Sequence, residues 1–361
     1  MVTAPAGGTA LVARLDNAGD VLLAGPAVRA VAARADEVVL LAGPHGRSAA
    51  ELLPGVDRVL EWRAPWIDPE PAAVTPEHVA ALTAAVRAEA PVAALLLTSF
   101  HQSALPLALL LRLAGVGWIG AISEDYPGVL LDLRHRVEGD PPEAERALSL
   151  ARAAGYRLPV SDDGRLAVRR PLPDVSTLTG APGYVVLHPG ASVPARAWPA
   201  ECCAQAVHAL AAAGYRVLVT GAPGERELTA RVAGADGVDL GGATDLRSLA
   251  AVLDGARAVV VGNTGPAHLA AAVGTPVVSL FSPVVPAARW APYGVPVALL
   301  GDQDAPCRAT RARHCPVPGH PCLTDVTAAE VVDAVDALTG NGEHARPIPL
   351  GADRPRQEVT R

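Results

Sequence analysis

One stretch of this 361-residue sequence has the residue order of an anion-binding turn. The β-branched run at 259–261 predicts a buried parallel strand, and Pro266 stands where the first turn of a following helix would begin. The exposed amides and the positive dipole end of such a helix attract anions. Gly265 has no side chain to keep a phosphate away, and His268 lies within the first helical turn. The stretch predicts a phosphate site, although an ordinary strand–helix turn that binds nothing has the same pattern.

A second turn, at 188–192, also follows a predicted strand. Gly190 and Ser192 are small enough for backbone amides to approach a phosphate. Arg196, a few residues further on, would neutralise that phosphate through charge-assisted hydrogen bonds. The alternative is a surface arginine in a loop.

A third turn, at 220–225, begins with Thr220 and ends with Glu225. A carboxylate at this place would accept hydrogen bonds from a ribose diol. The alternative is a glutamate that only stabilises the first turn of a helix through the helix dipole. Three such turns at one sheet edge indicate a nucleotide-binding half.

In the first half of the chain, Gly19 and Asp20 form the comparable pair at a helix start. Asp20 would act as a general base that takes the proton from an acceptor hydroxyl as this oxygen attacks an activated sugar. The alternative is an aspartate that stabilises its helix by roughly 0.3–1 kcal/mol.

Composition excludes several classes of protein. The formal net charge of −7 argues against a nucleic-acid-binding surface, so no nucleic acid partner is expected. The sequence contains no lysine, which excludes a lysine Schiff base, a lysine-dependent phosphate loop and a lysine general base. No cofactor is expected.

The five cysteines are an odd number, which suits a reducing compartment better than a disulfide framework. Cys307, Cys315 and Cys322 cluster late in the chain, near two histidines. Their spacing matches no usual zinc motif, so free or loosely paired thiols are expected, with a structural metal site as the alternative.

The opening residues lack the pattern of a secretory signal, and no apolar run reaches membrane-spanning length. We therefore expect a cytoplasmic enzyme. Arg308, Arg311 and Arg313 form an arginine patch that would allow peripheral contact with the inner face of the plasma membrane.

Strands and helices alternate in both halves, which predicts an α/β fold with two open parallel sheets. We predict an N-terminal domain at 1–175, a C-terminal domain at 176–340 and a disordered tail at 341–361. Ligands of such sheets bind beyond the carboxyl ends of the strands. The predicted strands lie at 10–14, 38–41, 58–62, 93–98, 117–120, 184–188, 215–219, 257–261 and 276–281. One helix is expected to carry Val21, Ala24, Val28 and Val31 on a single stripe.

The order and spacing of four motifs resemble glycosyltransferase family 9, the ADP-heptose:lipopolysaccharide heptosyltransferase family. The motifs lie at 11–21, 188–191, 196–199 and 262–272, and the resemblance extends to Leu338. It implies a GT-B architecture, in which two Rossmann-like domains face each other across a cleft. It also implies an inverting, metal-independent transfer from a nucleotide-sugar donor, usually ADP-heptose, on the C-terminal domain to an acceptor on the N-terminal one.

The resemblance also assigns roles to individual residues. Asp20 would be the base, Arg196 would bind the pyrophosphate, Glu225 the ribose, and Leu246 would lie near the adenine. The predicted donor-binding residues are Gly190, Ser192, Arg196, Thr220, Glu225, Leu246, Asn263, Thr264, Gly265, Pro266 and His268. Asn263 stands where the family more often has aspartate, which leaves the identity of the donor sugar open.

Three functions are compatible with this sequence. The first is transfer of a sugar to a glycan, a glycolipid or a small-molecule acceptor. The second is a sugar-nucleotide epimerase, and the third a non-catalytic nucleotide-sugar binder on the same fold. The Gly19–Asp20 pair favours the first.

Overall fold

Two six-stranded parallel sheets organise the chain in a computed structural model that describes residues 3–71 and 73–340. We call the part that carries the first sheet the first lobe and the part that carries the second sheet the second lobe. The strands are β1 (Thr9–Arg14), β2 (Glu37–Ala42), β3 (Arg58–Glu61), β4 (Ala93–Leu96), β5 (Trp118–Ile122), β6 (Leu133–His135), β7 (Tyr184–His188), β8 (Val217–Gly221), β9 (Gly237–Gly241), β10 (Ala256–Gly262), β11 (Val277–Leu280) and β12 (Val297–Leu300).

Helices connect the strands, as the crossover between two parallel strands requires. They are α1 (Ala18–Leu23), α2 (Gly25–Ala32), α3 (Arg47–Leu52), α4 (Pro76–Glu89), α5 (Leu105–Leu113), α6 (Glu143–Ala153), α7 (Ser176–Thr179), α8 (Ala200–Ala212), α9 (Arg226–Ala233), α10 (Leu246–Asp254), α11 (Gly265–Val273), α12 (Ala287–Trp290), α13 (Pro321–Thr324) and α14 (Ala328–Thr339). None of these helices is long and apolar enough to cross a membrane, as far as the described residues go.

Both sheets have the strand order of a Rossmann fold. The first runs β3-β2-β1-β4-β5-β6, and the second runs β12-β11-β10-β7-β8-β9, which is the same topology. Strand order reverses between β1 and β4 in the first sheet and between β7 and β10 in the second. A ligand crevice is expected at the carboxyl ends of these strand pairs. The α/β fold class predicted from the sequence is therefore confirmed.

The central strands are buried on both faces, which explains their continuous apolar runs. Val12 pairs with Leu40 on one side and Leu95 on the other, and none of the three is exposed. Val260 is paired and buried in the same way in the second sheet. One cluster of buried side chains includes residues from both lobes, so the lobes share part of their core.

The lobes are also joined by polar contacts at their surface. Arg170 forms an ion pair with Asp254, at 2.6 Å from Nη2 to Oδ1. The hydroxyl of Tyr293 donates to Glu145 at 3.1 Å. These contacts connect the end of the first lobe and α6 with α10 and the segment after α12.

The sequence predicts most of these elements, with differences at specific places. The helix expected across Val21 and Val31 is wrong as a single helix, because it is divided at Ala24 into α1 and α2. Pro26 lacks the amide that a continuous helix would need there. The short strands β6, β9 and β12 were not predicted. The domain boundary at 175/176 stays a prediction, and the tail predicted at 341–361 lies outside the described residues.

We predict that Thr327→Ala lowers the free energy of unfolding by about 1 kcal/mol. Thr327 is the N-cap of α14, and its hydroxyl accepts from the amide of Glu330 at 3.2 Å while Glu330 accepts from the Thr327 amide at 2.8 Å. Urea denaturation measures the change. Thr83→Ala, in the middle of α4, is the control and should change stability by less than about 0.5 kcal/mol. Equal effects of the two substitutions would contradict the capping argument.

Candidate functional site

The loop between β10 and α11 presents buried polar atoms that have no partner. The hydroxyl of Thr264 and both amide atoms of Asn263 lack a hydrogen bond among the residues that the structure describes. Thr264 is the N-cap of α11, and its hydroxyl does not cap the helix. A buried polar group without a partner costs about 1–3 kcal/mol. Because these groups lie at the amino end of a nine-residue helix, an anionic ligand with hydroxyls would satisfy them.

His268 lies in the first turns of the same helix and is 6% exposed. Its Nδ1 has no hydrogen-bond partner within residues 3–71 and 73–340. Burial, together with the nearby positive charge of Arg196, lowers the pKa of His268 to about 4. The imidazole is therefore neutral near pH 7, and it can donate or accept one hydrogen bond at a ligand.

Arg196 ends a short turn after β7 and brings a positive charge to this loop. Its buried Nε makes no hydrogen bond to any described residue. Burial and the positive charges of Arg311 and Arg313 lower the pKa of Arg196, while Asp20 of the first lobe raises it. Arg196, Arg311 and Arg313 together bring positive charge to the second-lobe side of the gap, which favours a bound anion.

The arginine patch predicted as a membrane contact is arranged differently in the structure. Arg311 lies with its guanidinium carbon 5.5 Å from the ring centre of Phe100, and Arg311 and Arg313 both act on Arg196. Arg308 forms an exposed ion pair with Asp304. Two of the three arginines therefore add their charge to the candidate site.

The turn predicted to hold a ribose contains Glu225 beside Gly190. The Glu225 Oε2 accepts a hydrogen bond from the amide of Ala222 at 2.8 Å. A Cβ built on Gly190 would lie 2.1 Å from the Glu225 Oε1, so only glycine at position 190 leaves room for this carboxylate. Thr220 is fully buried, and its hydroxyl is already paired with Nδ1 of His188 at 3.0 Å. The Thr220 hydroxyl therefore connects this turn to His188 at the end of β7 and is not a free hydroxyl.

The remaining predicted donor-binding residues lie around the same edge of the second sheet. Pro266 is within the first two positions of α11, and Leu246 is the first residue of α10. Leu246 is half-buried against the core. Ser192 is exposed in the loop that follows β7.

In the first lobe, Asp20 lies in the first turn of α1 beside a buried arginine. Arg14, the last residue of β1, is 1% exposed, and its Nη2 contacts the Asp20 Oδ1 at 3.1 Å. Burial and the negative charge of Glu143 raise the pKa of Asp20, whereas Arg14 and Arg196 lower it. Asp20 therefore holds a proton more strongly than an aspartate in water, as suits a general base.

The two lobes touch at the residues that carry this chemistry. A Cβ built on Gly19 would lie 2.9 Å from Cδ2 of His268 and 3.2 Å from Cα of Gly265. The amino ends of α1 and α11 therefore meet with only glycine between them. This contact places Asp20 of the first lobe within electrostatic reach of Arg196 in the second. The structure thus brings Asp20, Gly265, His268 and Arg196 to one gap.

A cavity of about 470 Å³ lies mainly in the first lobe, and Asp20, Arg196, Gly265 and His268 are not among its lining residues. Two of its residues lead back toward Asp20, since Gln102 donates to Asp16 and Arg146 contacts Glu143 at 3.1 Å. Arg289 reaches it from the second lobe. The cavity is lined by Phe100, His101, Gln102, Ser103, Ile122, Ser123, Glu124, Asp125, Val137, Gly139, Asp140, Pro141, Arg146 and Arg289.

The sequence did not predict this cavity or the charged residues beneath Asp20. One signal was present, because Arg14 closes an otherwise apolar buried strand, and a fully buried arginine is paired as a rule. Nothing local indicates that its partner is Glu143, which lies 129 positions away. Gln102 follows β4 in a turn that carries no glycine or helix-start pattern.

All five cysteines are free thiols, as the sequence favoured. Cys203 is buried in the core of the second lobe. Burial and the neighbouring Cys307 and Cys315 raise the pKa of Cys322 to about 11. Within the described part of the chain, no group of three or more histidine, cysteine or acidic side chains is arranged to hold a metal ion.

Comparison with known proteins gives a family match over most of the chain. The model of glycosyltransferase family 9 (heptosyltransferase) matches residues 79–320. Lipopolysaccharide heptosyltransferase 1 of Pseudomonas aeruginosa is 35% identical over 167 residues, which are 46% of this chain and 46% of that protein. The chain thus spans about half the length of the first curated relatives that it matches.

Solved structures extend the likeness to the whole fold. A glycosyl transferase of family 9 from Veillonella parvula has a TM-score of 0.78 at 16% identity, with 95% of this chain and 100% of that chain covered. The E. coli ADP-heptose lps heptosyltransferase II has a TM-score of 0.70 at 20% identity, with coverage of 92% and 99%. At these identities the likeness shows a shared two-lobed fold, which agrees with the predicted GT-B architecture.

We predict that Gly19→Ala lowers the free energy of unfolding by about 1–3 kcal/mol, because the new methyl group would overlap His268 and the backbone of Gly265. Gly117→Ala is the matched control, since its Cβ would meet nothing closer than the Val92 carbonyl oxygen at 3.9 Å. Urea denaturation of both variants measures the difference. Equal stability of the two variants would show that the lobes do not meet at Gly19.

Proposed function

We propose, because the chain belongs to glycosyltransferase family 9, that it transfers a sugar from a nucleotide-activated donor to a hydroxyl of an acceptor. The proposed donor is ADP-heptose, which the name of a structural relative includes. The observation that carries the proposal is the gap shared by Asp20 and Arg196 with the unpartnered polar atoms of Asn263 and Thr264. Such a transfer requires a general base and an anion-binding site that face the same gap.

The donor diphosphate would lie at the amino end of α11. Arg196 would supply a positive charge, and the Thr264 hydroxyl and the first helical amides would supply hydrogen bonds. His268 is neutral and would bind an oxygen without adding charge. The nucleoside would extend toward Glu225 and Leu246 at the same sheet edge, and Asn263 would contact the sugar.

The proposed mechanism inverts the configuration of the sugar in one displacement. Asp20 accepts the proton of the acceptor hydroxyl while this oxygen forms a bond to the anomeric carbon. The bond from the anomeric carbon to the diphosphate oxygen breaks, and ADP leaves with the bonding electrons. Arg196 and the amide end of α11 stabilise the developing negative charge. We propose that no metal ion is needed for this stabilisation.

The acceptor would occupy the cavity of about 470 Å³ in the first lobe, whose lining residues Gln102 and Arg146 contact Asp16 and Glu143 of the charged cluster around Asp20. Arg289 pairs with Asp140 there, and its guanidinium carbon lies 4.1 Å from the ring centre of Phe100. Asp125 accepts from Ser103 at 2.9 Å. Polar groups with an aromatic face suit the hydroxyls and apolar side of a sugar ring. A glycan, a glycolipid and a small molecule remain the proposed acceptors.

The cellular location rests on the sequence alone. A cytoplasmic enzyme, with peripheral contact to the inner face of the plasma membrane, stays a prediction. Of the three arginines in the patch, Arg308 has an exposed ion pair, in which its Nη1 lies 2.9 Å from Asp304.

We predict that Asp20→Asn lowers kcat by roughly 10²–10⁴-fold, because the amide cannot accept the acceptor proton. Transfer is measured with ADP-heptose and a panel of sugar acceptors, and ADP binding by calorimetry confirms that the donor seat is intact. Asp236→Asn, a surface change in the second lobe, is the control. Turnover of Asp20→Asn near that of the parent would remove Asp20 as the base. Conversion of the donor without any acceptor would instead indicate an epimerase, and ADP binding without turnover a binder.

We predict that Arg196→Met raises the KM for the donor roughly 10- to 100-fold, since a hydrogen bond to a charged group contributes about 1.5–3 kcal/mol. Steady-state kinetics with varied donor measure the change. Arg231→Met is the matched control, because the Arg231 side chain is 63% exposed and its ion pair with Glu201 is long, at 4.0 Å. A donor KM equal to that of the control would exclude Arg196 from the diphosphate seat.

A further inference from the structure

Asp20 does not have an arginine of its own. Arg14 is 1% exposed, and its guanidinium contacts three carboxylates: Asp16 from Nε at 2.9 Å, Asp20 from Nη2 at 3.1 Å and Glu143 from Nη1 at 2.9 Å. The same Nη2 also donates to the hydroxyl of Ser99 at 2.9 Å. The two Nη nitrogens are therefore held by hydrogen bonds to different parts of the first lobe, whereas Nε has an ion contact with Asp16 and no hydrogen bond among the described residues.

The most buried of these partners comes from a distant helix. Glu143 begins α6 and is 1% exposed, and its Oε1 accepts from both Arg14 and Arg146. Arg146 is itself held by the carbonyl oxygen of Thr98, which accepts at 2.5 Å. Since α6 packs on α2, this arrangement ties the base to the frame of the lobe.

The charges of this cluster do not cancel. Arg14 and Arg146 provide two positive charges against the three carboxylates, so the cluster has one negative charge in excess. A carboxylate that shares an arginine with two other acids binds a proton more strongly than one with an undivided partner. Burial is the main cause that raises the pKa of Asp20; the positive charge of Arg14 lowers this pKa, and the negative charge of Glu143 raises it further.

We propose that Arg14 and Glu143 are positioning residues that orient the Asp20 carboxylate at the gap and set how strongly it takes up the acceptor proton. The inference rests on the proposed function, in which Asp20 is the base. Arg14 is suited to this role because its planar guanidinium reaches two acids from two nitrogens at once. Lysine would place one point charge and would leave at least one of these acids without its bond.

Several other groups surround the base and contribute to its charge state. Arg196 and the neutral His268 face it from the second lobe. The remaining charged or titratable neighbours, from the elements packed around the cluster, are Arg14, Asp16, His101, Glu143 and Arg146. Among the acids, Glu143 is the one that can be neutralised without changing a side chain at the gap. Arg14 lies between Glu143 and Asp20 and contacts both.

The test is the pH dependence of kcat/KM for Glu143→Gln. Glutamine still accepts from Arg14 but removes one negative charge, so the pKa of Asp20 falls. Because Asp20 works when deprotonated, we expect the acidic limb of the profile to move to lower pH by roughly one unit. The plateau should fall about 3- to 10-fold, since a weaker base takes the proton less readily. Glu143→Asp keeps the charge and should keep the position of the limb.

Two further variants separate this role from a general loss of stability. Arg14→Lys should lower kcat by more than about 10-fold while the donor KM changes little, because the base loses its orientation and the donor seat is untouched. Asp162→Asn disrupts another ion pair of the first lobe, in which Arg29 Nε lies 2.6 Å from the Asp162 Oδ2. This control should leave the pH profile unchanged.

The possible outcomes separate a failure of this inference from a failure of the proposed function. If the parent protein transfers no sugar, the proposed function fails before any variant is compared. If the parent transfers sugar and Glu143→Gln keeps the parental acidic limb, or Asp162→Asn moves it equally, the positioning role is wrong. A shift confined to Glu143→Gln, with Glu143→Asp at the parental position, supports it.

Discussion

The contact between the amino ends of α1 and α11 is the constraint on which the site depends. A methyl group added at Gly19 would overlap His268 and the backbone of Gly265 in the opposite lobe, whereas one added at Gly265 would make an ordinary contact with the Gly19 amide nitrogen at 3.6 Å. Any residue larger than glycine at position 19 would move Asp20 away from the loop that contains Asn263 and Thr264. Two lobes with the same strand order therefore meet at one site because the first lobe has a glycine, Gly19, where the amino ends of α1 and α11 approach each other.

This closeness links the two halves of the reaction electrostatically. Arg196 lies near enough to Asp20 to lower the pKa of that carboxyl. A diphosphate bound to Arg196 would neutralise this effect, so Asp20 would hold a proton more strongly with the donor present than without it. In the proposed reaction, Asp20 would thus be the strongest base when an activated sugar is present to be attacked. Arg14, which is shared among three acids, provides the fixed part of the balance.

Local sequence predicts the features that depend on neighbouring residues. The turn before α11 could be recognised because strand, glycine, proline and helix follow each other directly. The pairing of Arg14 with Glu143 could not, since 129 positions separate them and only the packing of α6 brings them together. The short edge strand β9 escaped for a related reason, because its partly exposed residues show no apolar run. Local sequence therefore indicates a candidate ligand-binding turn more readily than the buried charges that surround Asp20.

The buried polar atoms of the second lobe contribute to the free energy of donor binding in the proposed function. Among the residues that the structure describes, the Asn263 amide, the Thr264 hydroxyl and the His268 Nδ1 have no hydrogen-bond partner, which costs about 1–3 kcal/mol for each group. A donor that bonds to them recovers much of this free energy, and it does so next to the contact with Gly19. Donor binding and the junction between the lobes thus reinforce each other. In the proposed reaction, an acceptor hydroxyl would then meet Asp20 and an activated sugar whose relative positions are already set, which is the main requirement of a transfer that competes with water.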